Sequence, residues 1–103
     1  MGIRENKVET YLDTEVKKMS GITRKWVSPG RDGVPDRIVF VQGDLIFVEI
    51  KTVDGTLSPV QRREHVRLRD HDAQVVTVYG SSGVDAFLTD VVLTMPRYAD
   101  EYR

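Results

Sequence analysis

PDRIVFVQGDLIFVEIK, residues 35–51, contains two runs of β-branched and aromatic residues joined at Gly43-Asp44. Such runs read as the strands of a hairpin, at about 37–42 and 45–51, with Gly43-Asp44 as the turn. Side chains alternate between the two faces of a strand. Ile46, Val48 and Ile50 therefore form a wholly apolar face, while Leu45, Phe47, Glu49 and Lys51 share the other. That second face begins apolar and ends in a carboxylate and an amine two residues apart. A solvated strand end would also give this pattern, so the hairpin partner decides its meaning. With a two-residue turn at Gly43-Asp44, Gln42 pairs with Leu45, Ile38 with Glu49, and Asp36 with Lys51. A shift of two in the pairing sum would set Asp36 directly across from Glu49. Either register puts two carboxylates and one lysine in a single side-chain layer, and only an odd loop or a bulge would separate them.

Two neighbouring carboxylates oppose each other's ionisation. Lys51 alone could balance them as a structural ion cluster, an expensive way to end a strand. A hard divalent cation does so better, because Mg²⁺ takes one or two carboxylates together with water and substrate phosphate. The pattern points to metal-assisted hydrolysis of a phosphodiester.

The rest of the chain frames this hairpin. Residues 4–19 carry Val8, Leu12, Val16 and Met19 at helical spacing, and Gly21 is the natural stop. A short extended piece near Arg24–Val27 leads into the turn-rich SPGRDGVP at 28–35. Ser58 and Pro59 suit the N-cap and first position of a helix that runs to about Asp72. QVVTVYG at 74–80 reads as a buried strand, and residues 82–94 as a last helix. The expected order is α-β-β-β-α-β-α, a mixed sheet flanked by helices in an α/β fold.

At 103 residues the chain is expected to be one domain, residues 1–103. The composition, 40% apolar and 30% charged, is that of an ordinary globular protein. No cysteine is present, which excludes disulfides, thiolate metal sites and thiol catalysis and is compatible with a reducing cytoplasm. No signal-peptide core or membrane-spanning run is visible, and no membrane partner is expected. The net charge of −1 hides an asymmetry: residues 24–69 carry net +3 and residues 70–103 net −4. A basic middle allows an anion-binding face on a near-neutral protein.

Asp36 after Pro35, then Glu49-Ile50-Lys51, reproduces the signature of the PD-(D/E)xK nucleases. With the flanks VSPGRDGVPDRIVF, FVEIKT and GTLSPVQRREHVRLR, the chain resembles the VRR-Nuc (virus-type replication-repair nuclease) family from about Glu5 to Phe87. The resemblance implies a restriction-endonuclease-like core. It also implies a metal-dependent endonuclease with Mg²⁺ or Mn²⁺ held by Asp36, Glu49 and the main-chain carbonyl of Ile50. Lys51 would orient or help deprotonate the attacking water, and Gln61 would steady the water or the catalytic layer. A glutamate of the first helix completes the family's site; Glu5 and Glu9 both fit, with Glu5 favoured. Stand-alone relatives of this size imply a homodimer acting on branched DNA, four-way junctions included, in a bacterial or phage-infected cytoplasm. A flap or nicked-duplex nuclease, or a DNA-binding module keeping the fold without catalysis, are the alternatives.

Around that site, Gln61 and Leu68 fall on one side of their helix and Arg63 and Arg67 on another, so the arginines can face phosphates. Arg31 and Arg37 are read either as phosphate contacts or as a solvated loop residue and a strand-edge ion pair, respectively. Trp26 is expected to pack in the core in preference to stacking on a base. His65 and His71 are expected to be solvated, and Tyr98 and Tyr102 to pack or fray in the acidic tail.

Overall fold

The protein is described by a computed structural model covering residues 3–103, with side chains from Glu5 onward. Helix α1 (Ile3–Lys18) is followed by strands β1 (Ile22–Lys25), β2 (Arg37–Val41) and β3 (Asp44–Lys51). Helix α2 (Pro59–Asp70), strand β4 (Val75–Tyr79), helix α3 (Gly80–Val92) and a short β5 (Glu101–Tyr102) complete the chain. The seven expected elements appear in the expected order, with β5 added after them. Five strands form one sheet in the order β1-β2-β3-β4-β5. The first three are antiparallel, and β4 and β5 join in parallel. Parallel neighbours require crossover connections, which α2 and α3 supply.

Alternation in β3 assigns the two layers. Ile46, Val48 and Ile50 are fully buried with Leu12 and Val16 of α1 and with Val84, Phe87 and Val91 of α3. At roughly 1.5–3 kcal/mol for each large apolar side chain removed from water, this layer supplies most of the stabilisation. Glu49 lies on the opposite face, under α2, whose buried residues are Glu64 and His65. A helix with so polar an inner face is packed on a polar patch of the sheet.

The register resolves the hairpin. Val41 pairs with Asp44 and Arg37 with Val48, so the turn is Gln42-Gly43, one residue earlier than expected. Both turn residues have positive φ, +50° and +83°, as a type I′ hairpin requires. Gly43 takes the second position without strain, and the right-handed twist of the strands favours this turn. The pairing sum shifts by two, so every side chain keeps its expected face.

Gly21 does not itself terminate α1 in the left-handed conformation. Ser20 does so, at φ +62°, and Gly21 N–H closes the cap on the Val16 carbonyl at 3.0 Å. Glycine is required at 21 by close packing: a Cβ there would stand 2.7 Å from the Phe40 carbonyl oxygen. The acidic tail packs and does not fray. Tyr98 and Tyr102 are each 8% exposed, their rings lie 5.6 Å from that of Phe87, and their hydroxyls donate to Asp44 and Asp90.

Candidate active site

One row crosses the sheet at the end of the hairpin. The Trp26 N–H donates to the Asp36 carbonyl at 3.0 Å, continuing the β1–β2 register by one pair. One step beyond Arg37–Val48, Asp36 faces Glu49, and Glu49 pairs with Thr77 of β4. Because Asp36 directs its main-chain groups toward β1, its pairing with Glu49 is of the non-hydrogen-bonded kind. In such pairs the Cα atoms approach to about 4.5 Å and the side chains crowd together. Of the two registers left open by the sequence, this is the one that brings the carboxyl groups closest.

The next pair sets Ile50 opposite Pro35. In a strand, the N–H and C=O of one residue point toward the same neighbour. The Ile50 N–H, lacking a ladder partner there, donates to Asp36 Oδ2 at 2.9 Å. Its carbonyl turns to the same side, where proline offers no N–H. The proline thus ends the ladder and leaves a main-chain oxygen beside the Asp36 carboxylate.

Burial is the main reason that both acids titrate high. Asp36 is raised to about 6 by burial and then by the charge of Glu49, against the Ile50 N–H and Lys51. Glu49, 2% exposed, is raised to about 7 by burial, with Asp36 and Lys51 pulling the other way and Glu5 adding to the rise. Each carboxyl group shifts the titration of the other. Glu49 Oε2 accepts from Gln61 Nε2 at 3.2 Å, whereas its buried Oε1 has no hydrogen-bond partner among the described residues.

Gln61 is held at both ends. Its Oε1 accepts from the Ser58 N–H at 2.9 Å and its own N–H donates to Ser58 Oγ at 3.1 Å, a complete capping box. Since Ser58 N–H can only donate, the amide must turn its NH₂ toward Glu49. One residue therefore both starts α2 and orients a site carboxylate.

Behind Glu49 stands His65, which the sequence reading placed in solvent. It is fully buried, its Nε2 lies 3.6 Å from Glu49 Oε1, and neither ring nitrogen has a hydrogen-bond partner among the described residues. Burial and the nearby Arg69 lower its pKa to about 4, so it is neutral at physiological pH. The signal was available: Gln61, His65 and Leu68 lie at i, i+4 and i+7, one face of a helix.

The remaining candidates separate clearly. Glu9 is 7% exposed and its carboxylate meets the Arg37 guanidinium at 2.7 Å; Asp13 meets it at 3.1 Å. Of the two readings of Arg37, the ion pair is the one formed. Glu9 is thereby committed to Arg37, while Glu5 is the helix glutamate whose charge reaches Glu49. Arg31 Nε and Arg67 Nη1 meet the same Glu64 oxygen at 3.0 and 3.4 Å. Arg63 is exposed on the outer side of α2. Trp26 packs its ring 4.9 Å from that of Phe47 and remains partly accessible.

Among the described residues, no three His, Cys, Asp or Glu side chains gather as a ready-made metal cage. The donor set nonetheless suits a hard cation completed by water and phosphate: two carboxylates, an undonated Glu49 oxygen and a main-chain carbonyl.

Comparison with known proteins places this geometry. No protein-family model matches the chain. A relative from Acyrthosiphon pisum secondary endosymbiont phage 1, named "Putative nuclease p44", is 48% identical over 77 residues, 74% of this chain and 83% of the relative. A solved structure described as a VRR-Nuc domain superposes with a TM-score of 0.78 at 31% identity, covering 85% of this chain and 97% of the other. The chain belongs to the VRR-Nuc family. Its α/β sheet with the expected element order is therefore a VRR-Nuc nuclease fold, and the PD…ExK residues lie on it where the row of carboxylates forms. Among the described residues, no helix is long and apolar enough to cross a membrane.

Proposed function

We propose that this VRR-Nuc chain is a divalent-metal-dependent endodeoxyribonuclease that hydrolyses phosphodiester bonds in branched DNA. The observation that carries the reading is the pair of half-buried Asp36 and buried Glu49, set face to face with raised pKa values beside Lys51. A fold that keeps two mutually repelling carboxylates in a low-dielectric layer is suited to receive a cation there.

Asp36, Glu49 and the Ile50 carbonyl would hold Mg²⁺ or Mn²⁺, with Glu5 contributing from α1. The ion would supply Lewis-acid activation of the phosphate and a lowered pKa for the attacking water. Lys51 shares the Glu49 face of β3 and so can orient that water and neutralise charge growing on the phosphate. Gln61 keeps Glu49 in position by its hydrogen bond. Arg63 and Arg67 face outward from α2 and Arg31 extends from the loop before β2, a distribution suited to phosphate contacts.

Junction cleavage by a homodimer follows from the likeness to stand-alone VRR-Nuc proteins and from symmetry, since a two-fold dimer presents two sites to the two sides of a junction. The test is incubation with labelled four-way junction, flap and linear duplex in Mg²⁺, Mn²⁺ or EDTA. Metal-dependent cleavage of the junction, abolished in Asp36→Ala and Lys51→Ala, is expected. DNA binding without cleavage in either metal refutes the enzyme, and a monomer in sedimentation at micromolar concentration refutes the dimeric junction cutter.

A further inference from the structure

Trp26 begins the row that continues through Asp36 and Glu49. Directly paired residues of neighbouring strands present their side chains to the same face. The indole therefore emerges beside the acid pair, on the α2 face of the sheet. There a depression of about 450 Å³ is lined by Trp26, Arg31, Val34, Arg67, Leu68 and His71. Its volume is that of a small-ligand cleft, roughly 300–1,000 Å³.

The cationic part of the depression is built, not merely exposed. Glu64, 7% exposed, fastens Arg31 from the loop and Arg67 from α2 through one carboxylate oxygen. Each guanidinium carries five N–H donors and gives Glu64 one of them. The two side chains remain 47% and 56% exposed. An aromatic ring, apolar flanks and two anchored guanidiniums match a nucleotide, whose base stacks and whose phosphate is anionic. A base inside an intact duplex is already stacked on both sides and cannot present a face to Trp26.

We infer that the Trp26–Arg31–Arg67 depression is a binding site for an unstacked nucleotide of the DNA substrate next to the phosphate being cut. This inference rests on the nuclease reading and deepens it: the pocket would select DNA that carries an unpaired base at the cleavage position. Trp26 reads the base face, and Arg31 and Arg67 take the flanking phosphate.

Trp26 is the only tryptophan of the chain, so its fluorescence reports on the pocket alone. The wild-type protein is titrated in EDTA with a linear duplex and with the same duplex carrying one unpaired nucleotide. Binding is followed separately by anisotropy of a fluorescein on the DNA. At matched saturation, the unpaired nucleotide is expected to quench Trp26 roughly threefold more than the linear duplex. Trp26→Leu should lose about tenfold in affinity for the unpaired substrate and little for linear duplex, while Trp26→Phe keeps the preference. Equal quenching by both DNAs, or saturation without quenching, overturns the pocket while leaving the nuclease reading intact. Absence of any DNA binding or cleavage overturns both. If Trp26→Leu does not fold by circular dichroism, the wild-type quenching comparison and Trp26→Phe still decide.

Discussion

Gln61 donates from Nε2 to Glu49 Oε2 at 3.2 Å while its Oε1 accepts from the Ser58 N–H at 2.9 Å. The side chain thus couples the start of α2 to a carboxylate of the site. Gln61→Ala should remove both, lowering stability by about 1 kcal/mol for the lost cap. Cleavage should fall roughly 10–100-fold, the usual consequence of removing a ligand's orienting partner. Gln61→Glu separates the two roles: glutamate also closes a capping box, so stability should be retained, yet a third carboxylate in place of the donor to Glu49 should lower cleavage at least as far as Gln61→Ala does. Denaturation midpoints and single-turnover cleavage rates distinguish them, and equal losses of activity and stability in both variants would contradict the double role.

The acid pair predicts how stability varies with pH. Asp36 at about 6 and Glu49 at about 7 lie above their ordinary values of 3.8 and 4.5, so the folded chain retains protons that the unfolded chain releases. Without metal, the pair's contribution is fully present below about pH 4 and is lost as pH rises through about 7. Asp36→Asn should flatten that decline in urea titrations between pH 4 and 8. Metal binding should release protons near pH 6 and almost none near pH 9, where both acids are already ionised. Calorimetric titration in two buffers of different ionisation enthalpy measures the protons, and pH-independent release would refute the coupling.

Much of this site is legible in the sequence because strand alternation fixes faces irrespective of small errors. The turn falls at Gln42-Gly43 and not at Gly43-Asp44, but the displacement shifts the pairing sum by two, so Asp36 and Glu49 stay in one layer. What alternation could not supply was the neighbour on the helix. His65 reads as solvated because histidine is polar and the segment is rich in charge, whereas its burial depends on α2 lying over Glu49. Arg37 was equally open, since its partners Glu9 and Asp13 are distant in sequence. The two-residue β5 has too short a pattern to be read, and its place is set by tyrosine contacts.

His65 yields a prediction that runs against the usual effect of core substitution. Among the described residues, both of its ring nitrogens are buried without partners, as is Glu49 Oε1 at 3.6 Å from Nε2. Replacing a polar group by an apolar one of similar shape can be neutral or stabilising when that group has no partner. His65→Leu should fold with a midpoint equal to or above that of the wild type. Loss of the imidazole packed beside Glu49 should nevertheless let that carboxylate shift and weaken metal binding. Mn²⁺ binding followed by electron paramagnetic resonance tests the second part, and unaltered affinity would make His65 merely a packing residue.

The tail should carry more stability than its acidic composition suggests. Tyr102 donates to Asp90 Oδ2 at 2.7 Å, accepts from the Ala99 N–H at 2.9 Å, and sets its ring against Phe87. Burial, then the Asp90 hydrogen bond, raises its phenol to about 12, so it stays protonated and able to donate across the physiological range. Tyr102→Phe removes the hydroxyl only and should lower stability by about 1–3 kcal/mol, because the Ala99 N–H and Asp90 lose their partner. Tyr102→Ala adds the loss of the ring and should lower it by roughly 3–5 kcal/mol. Neither change touches the carboxylate row, which lies on the opposite side of β3 from the Phe87 layer. Well below the melting temperature, cleavage per folded molecule should therefore be unchanged in Tyr102→Phe. A fall in that specific activity, measured beside a urea titration of the same sample, would mean that β5 shapes the site through β4.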